Sequence, residues 1–344
     1  MIIRRYIHMT NTKIDFVVPW VDGNDSEWLR DRMKLEGKDE EPVINDYRDW
    51  DIFKYWFRAV ETYTPWVNNI YFITYGHLPD FLNTDHPKLK IIRHEDYIPK
   101  EYLPTFSSHV IELNLHRIEG LSEHFVYFND DTFINKPMSP KDFFINGLPC
   151  DTAVINPIVP ARYDTISNIM INDIGVINQN FSKRQVVKKN PWKWYNYRNG
   201  VLNALNLIFT PWSRFPGLYQ QHLPTSFLKS TFETIWEKEY DVLHQTCLHQ
   251  IRDYKYDVNQ WVIKEWQMCE GNFMPRSHKI GDRFLIDSLE EAEKGAAAIK
   301  SNKYKMLCLN DHYDGEDLDE IIETLTNAFN SKLSNISGFE KNNN

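Results

Sequence analysis

Apolar and polar positions change rhythm several times along this chain, and the changes outline alternating strands and helices. Residues 14–21 (IDFVVPWV) read as a buried strand that stops at Asp22-Gly23-Asn24-Asp25, a tetrad of turn-forming residues. Trp50, Phe53, Phe57 and Val60 recur at helical spacing, and the strand-like runs NIYFITYG and KLKIIRHE follow. Ser107 or Ser108 can cap a helix reaching to about residue 121, after which HFVYFNDD reads as a further strand ending in acids. This order predicts an α/β fold with a mostly parallel, Rossmann-like sheet flanked by helices. Both polar clusters fall at the carboxyl ends of strands, the edge where open α/β sheets bind ligands.

Past residue 151 the alternation weakens. A basic and aromatic stretch, KRQVVKKNPWKWYNYR, leads into an apolar segment over residues 201–218. That segment is interrupted by Asn203, Asn206, Ser213, Arg214 and two prolines, so it is unsuited to crossing a bilayer but able to rest on one. Residues 225–240 read as a helix with Leu228, Phe232, Ile235 and Glu239 on one face, residues 258–268 as another, and Leu318, Ile322, Leu325 and Phe329 as a final amphipathic helix. The tail NISGFEKNNN is too polar to bury and is expected to be disordered. The pattern divides the chain into an α/β part (1–150), an inserted helical or irregular cap (151–220), a helical completion of the same domain (221–333) and the tail (334–344).

Composition narrows the function. Hydrophobic residues at 42% and charged residues at 25% are globular values, and a 14% aromatic share suits a ring-lined cleft. A net charge of -9 disfavours nucleic acid as a partner and requires any anionic substrate to be held by local cations or a metal. Cys150, Cys247, Cys269 and Cys308 are widely spaced with no CxxC pair, which speaks against a zinc site and a dense disulfide framework and for the reducing cytosol. The start, MIIRRYIHMTNTK, lacks the apolar stretch of a signal peptide.

Candidate chemistry gathers where strands end. Asn129-Asp130-Asp131 offers hard oxygen ligands suited to Mg²⁺ or Mn²⁺ against a diphosphate, or else plain turn formers and caps. Asp22, Asn24 and Asp25 carry the same two readings. His222, on a loop, suits a general base near neutral pH or a structural role. Arg252 suits phosphate, or an ion pair with Asp253 or Asp257. Lys183, Arg184, Lys188, Lys189, Lys193 and Arg198, interleaved with Trp192, Trp194, Tyr195 and Tyr197, suit anionic lipid, a glycan or a plain surface loop.

Four segments occurring together and in order resemble the Stealth family, which includes bacterial capsular polysaccharide phosphotransferases and the catalytic region of animal lysosomal-enzyme N-acetylglucosamine-1-phosphotransferase. The first is IDFVVPWVDGNDSEW. The second runs from RDWDIFKYWFRAVETYTPWVNNIYFIT through LPTFSSHVIE to VYFNDDTFINKPM, the third is QHLPTSFLKS with HQIRDYKYDVNQW, and the fourth is CLNDH. The resemblance implies a GT-A-like sheet and transfer of hexose-1-phosphate from a UDP-hexose to a hydroxyl of a cell-surface polysaccharide, with release of UMP. It implies His222, Arg252 and Asp131 as catalytic, Trp20, Asp22, Asn24, Arg93, Ser107, Asn129 and Asn310 as substrate-binding, and Asp130, Asp131 and Asp311 at a Mg²⁺ or Mn²⁺ ion. Ser107 stands where the family more often has asparagine. The partners expected are a UDP-sugar donor and a lipid-linked glycan acceptor, with the enzyme cytoplasmic and peripheral at the inner face of the membrane. Two rivals remain at this level: a metal-dependent glycosyltransferase releasing UDP, and a non-catalytic glycan-binding protein.

Overall fold

The computed structural model describes residues 12–37, 50–160, 165–315 and 318–341. The leader reading and the last three tail residues therefore lie partly or wholly outside the described residues.

Eleven strands are present among the described residues: β1 (Ile14–Pro19), β2 (Ile70–Thr74), β3 (Leu89–Arg93), β4 (His124–Tyr127), β5 (Thr132–Ile134), β6 (Phe144–Ile145), β7 (Leu148–Asp151), β8 (Thr225–Leu228), β9 (Met274–Pro275), β10 (Gly281–Ile286) and β11 (Met306–Asp311). The main sheet has the order β3-β2-β1-β4-β8, parallel throughout except for β8. Alternate residues of β1 serve its two faces. Phe16 and Val18 join Phe72, Trp56, Phe57 and Phe128 on one, while Val17 joins Tyr71, Ile73, Phe125 and Tyr127 on the other. Burial on both faces explains why these strands read as nearly continuous apolar runs. The helices Lys54–Tyr63, Leu289–Lys300 and Leu318–Asn330 contribute to the first face, and Ser108–Leu113, Lys229–Lys238 and Gln260–Glu270 to the second.

A mostly parallel sheet flanked by helices is what the pattern predicts, but three local readings change. Residues 225–228 form an edge strand rather than the first turn of a helix, because all four are buried and pair antiparallel with β4. The helix opened at Ser107 and Ser108 ends at Leu113, where the buried Asn114 amide donates to the Val110 carbonyl and a 3₁₀ turn, Leu115–Arg117, takes over. The insert contains a fifteen-residue helix, Ile166–Asn180, whose periodicity the polar residues Asn168, Asn172 and Asp173 obscure.

The tail overturns its expectation more sharply. Ser337, Phe339 and Glu340 are buried. Phe339 packs on Phe57 and His86, and Asn83 N–H donates to its carbonyl. Glu340 accepts from Arg58 Nε (2.8 Å) and Nη2 (2.7 Å), while Arg58 Nη1 donates to the Leu333 carbonyl. One aromatic ring and one fully partnered ion pair anchor a segment whose average composition is polar.

Candidate active site

The strand order places the site. From β1 the chain builds β2 and β3 on one side, then crosses to the other side for β4, so the topological switch lies between β1 and β4. Both run parallel, with Phe128 N–H donating to the Val17 carbonyl, and their carboxyl ends open together. Asp22 and Asn24 follow one end and Asn129, Asp130 and Asp131 the other. This crevice is where such sheets receive ligands.

Two further strands deliver partners to it. Because β8 runs antiparallel to β4, its start at Thr225 lies beside Tyr127, and the loop before it brings His222 to the acidic turn. His222 Nε2 lies 3.3 Å from Asp131 Oδ2 and 2.9 Å from Asn129 Nδ2. The amide as placed donates to a bare Nε2, whereas a protonated ring donates to Asp131 instead. On the other flank β5 pairs with β11, Thr132 opposite Cys308, and Leu309 N–H donates to the Asp131 carbonyl. This register lets Cys308 Sγ (3.2 Å) and Asn310 Nδ2 (3.1 Å) both donate to Asp131 Oδ2. Asn310 Oδ1 in turn lies 2.9 Å from His312 Nε2.

Electrostatics couple the pair. Burial by itself pushes the Asp131 carboxyl up, but His222 and the donors Cys308 and Asn310 hold it below the usual carboxylate value. Burial likewise pushes the His222 imidazole down, and Asp131 overcomes it, leaving the ring more basic than usual. The Cys308 thiol is pushed well up by burial and by Asp131, so it is a proton donor here and not a thiolate.

One oxygen is left over. Asp131 Oδ1 is buried and has no hydrogen-bond partner among the described residues. Asp131, His222 and Cys308 each present a donor atom within 4.8 Å of the others, a group able to hold a metal ion. The spare carboxylate oxygen fits a hard divalent cation, and the neighbouring Asp130 is exposed beside it. Nitrogen and sulfur are softer donors, but the sulfur keeps its proton and the ring is engaged with Asp131. Cys308 is a member that cysteine spacing in the sequence gave no reason to include. Asp311 is not brought into this group: its carboxylate accepts from Trp50 Nε1 (2.8 Å) and Tyr313 N–H (2.9 Å).

The remaining residues take different places. Asp22 Oδ1 accepts from Asn24 N–H (2.9 Å), and Asp22 N–H donates to His77 Nε2 (2.8 Å). Burial pushes the His77 imidazole down despite Asp25 and Asp22, which keeps it neutral and able to accept. Asp25 caps the helix Ser26–Glu36, accepting from Trp28 N–H. Trp20 is nearly buried, stacked on Phe53 with its edge toward His77, so it supports the loop from within. Arg252 is exposed and its Nη2 donates to Ser108 Oγ (3.0 Å) rather than to Ser107, whose own hydroxyl is buried and unpartnered among the described residues. Arg93 is exposed at the end of β3, 3.7 Å from Glu95. Sequence reasoning missed His77 and Glu112. Glu112 accepts from Tyr127 Oη (3.2 Å) and Gln260 N–H (3.3 Å) and adds negative potential at His222. An acid five residues into a helical pattern carries no signal of its own.

Known proteins match this chain over nearly its whole length. Residues 12–40 match the model of Stealth protein CR1, conserved region 1, and residues 46–150 that of Stealth protein CR2, conserved region 2. A capsular polysaccharide phosphotransferase WcwK of Streptococcus pneumoniae is 42% identical over 335 residues, covering 96% of this chain and 98% of its own length. The chain belongs to the Stealth family. Another Stealth relative, the exopolysaccharide phosphotransferase cps2G of Lactiplantibacillus plantarum, is 40% identical and covers 95% of this chain and 96% of its own. The receptor polysaccharide phosphotransferase WefC of Streptococcus oralis is 36% identical, covering 95% and 99%. Among solved structures, the galactosyltransferase LgtC in complex with donor and acceptor sugar analogs is 10% identical with a TM-score of 0.38, covering 94% of this chain and 98% of that one, a likeness too low to carry an argument.

Proposed function

We propose that this Stealth protein transfers hexose-1-phosphate from a UDP-hexose to a hydroxyl of a growing cell-surface polysaccharide and releases UMP. The observation that carries the reading is the Asp131–His222 pair at the switch point of the sheet, in a chain whose relatives are named polysaccharide phosphotransferases. Asp131 engages His222 through Nε2, and Nδ1 makes no hydrogen bond among the described residues. The acceptor hydroxyl oxygen forms a bond to the β-phosphorus, its proton passes to His222, and the bond from that phosphorus to UMP breaks. The sugar keeps its own C1–O bond, so its anomeric configuration is retained.

Charge is met from several sides. Asp130 and Asp131 would hold a divalent cation, Mg²⁺ or Mn²⁺, which when bound neutralises diphosphate oxygens. Arg252, steadied by Ser108, presents its exposed guanidinium to the transferred phosphate. Asp22 and Asn24 face the donor across the crevice from Asn129 and Asn310. The acceptor is a lipid-linked glycan, which sets the enzyme to work at the inner face of the membrane as a peripheral protein. No helix among the described residues is long and apolar enough to cross one.

The test is the identity of the nucleotide released when the protein is incubated with Mg²⁺, a panel of UDP-hexoses and short glycan acceptors. UMP with a phosphodiester-linked product is expected, whereas UDP would make the enzyme a glycosyltransferase.

A further inference from the structure

The segment between the fifteen-residue helix and the His222 loop is built inside out. Asn199 and Asn206 are fully buried, whereas Tyr197 is 80%, Val201 82% and Leu207 64% exposed. The burial of the asparagines is supported by their amide N–H groups, which both donate to the Ala153 and Trp194 carbonyls, and Asn206 also accepts from Ile155 N–H. The apolar side chains are then forced outward. Tyr197, Val201, Leu207, Ile208 and Trp212 are all exposed, carried by two short helical turns, Tyr197–Leu202 and Asn203–Ile208, and the loop that follows.

Charge in the same region is one-sided. Residues 174–232 contain no aspartate or glutamate in 59 positions and eight lysines and arginines, within a chain of net charge -9. Two of these cations are internal pins rather than surface charge. Lys183 donates to the Phe209 and Trp212 carbonyls and fixes the loop that carries Trp212, and Lys193 donates to the Gly271 and Phe273 carbonyls. Arg184, Lys188, Lys189 and Arg214 are exposed, and none of them forms an ion pair among the described residues. Arg184 reaches the Pro211 carbonyl, which sets a cation directly beside the apolar tip.

From this we infer that residues 184–214 form a docking surface for an anionic lipid bilayer, with Val201, Leu207, Ile208 and Trp212 entering the headgroup boundary and Arg184, Lys188, Lys189 and Arg214 meeting lipid phosphates. The inference deepens the peripheral location proposed above by naming the surface. Exposed aliphatic and aromatic side chains beside unpaired cations are complementary to an interface that is apolar below and anionic above. A soluble anionic glycan would use the cations and rings but leave Val201, Leu207 and Ile208 without a partner.

The experiment is flotation of the full chain with vesicles of phosphatidylglycerol and phosphatidylcholine, or of phosphatidylcholine alone, with UMP release on a soluble acceptor measured in parallel. The wild type is expected to float with the anionic vesicles. The double variant Leu207→Asp, Ile208→Asp is expected to lose at least about tenfold in partitioning, and Lys188→Glu, Lys189→Glu to lose roughly fivefold per residue, the second loss shrinking as added salt screens the lipid charge. A wild type that stays with the soluble fraction overturns the inference, as does vesicle binding indifferent to the aspartates. Equal retention of the wild type and the Leu207→Asp, Ile208→Asp variant on an anionic polysaccharide, without flotation, assigns the surface to glycan instead. Circular dichroism and unchanged UMP release show that the variants fold, and loss of UMP release in the wild type would strike the proposed reaction without touching this one.

Discussion

Two charged pairs link distant parts of the chain, and they are finished differently. Arg58 and Glu340 meet with every atom engaged: both carboxylate oxygens accept from the guanidinium, Ser337 N–H and Oγ also donate to Oε1, and the third guanidinium nitrogen reaches Leu333. Asp131 and His222 meet with atoms to spare, since Oδ1 of the first is orphaned and Nδ1 of the second makes no hydrogen bond among the described residues. A closed pair is a fastening. An open pair, at the switch point of an α/β sheet, is a place where something else completes the coordination.

Breaking each pair separates the two roles. The largest effect is expected for His222→Ala, with turnover falling roughly 100- to 10,000-fold while the denaturation midpoint moves little, measured by UMP release and urea titration. Near-normal turnover would remove His222 as the base. The reverse signature is expected for Glu340→Ala. Leaving Arg58 buried and unpaired costs about 3–5 kcal/mol in urea denaturation, with turnover per folded molecule unchanged.

Finer changes sharpen the contrast. Asp130→Asn is expected to raise the Mg²⁺ concentration needed for half-maximal rate by about tenfold or more, and an unchanged titration would take Asp130 out of the metal site. The closed pair also predicts a sign with pH. Burial pushes the Glu340 carboxyl up, but Arg58 and Ser337 more than offset it, so its folded value lies below the ordinary one. Its contribution is therefore complete above the ordinary glutamate range and fades as pH falls through the lowered value. The stability gap between wild type and Glu340→Gln should narrow as acid is added, and a gap that widens would contradict the assignment. Glu265 runs the other way: burial pushes it up to about 8, so its burial weighs more on stability as pH rises toward that value. Glu265→Gln should then gain on the wild type between about pH 4.5 and 8, and gain no more above that. The smallest effect is expected for Cys308→Ala, which removes one weak donor from Asp131 at about 1 kcal/mol or less.

Local patterns in the sequence carried the parts of the fold whose cause is local. The apolar runs at residues 14–21 and 124–128 became β1 and β4 because strands buried on both faces need unbroken apolar side chains. Their polar endings marked the crevice. The same reasoning failed for residues 225–228, where four residues pair with β4 although their pattern also fits a helix, and for the tail, where Phe339 and Glu340 find Phe57 and Arg58 nearly three hundred positions away.

The sequence by itself determined that this is an α/β protein of the Stealth family with acids at strand ends. Only the tertiary structure decided that Asp131 binds His222 and Cys308 while Asp311 faces Trp50, that Arg252 rests on Ser108 and not Ser107, and that Asn199 and Asn206 turn inward while Val201 and Leu207 turn out. Those choices depend on strand register and on which backbone groups remain to be hydrogen-bonded once the chain has closed. Neither quantity belongs to any single stretch of residues.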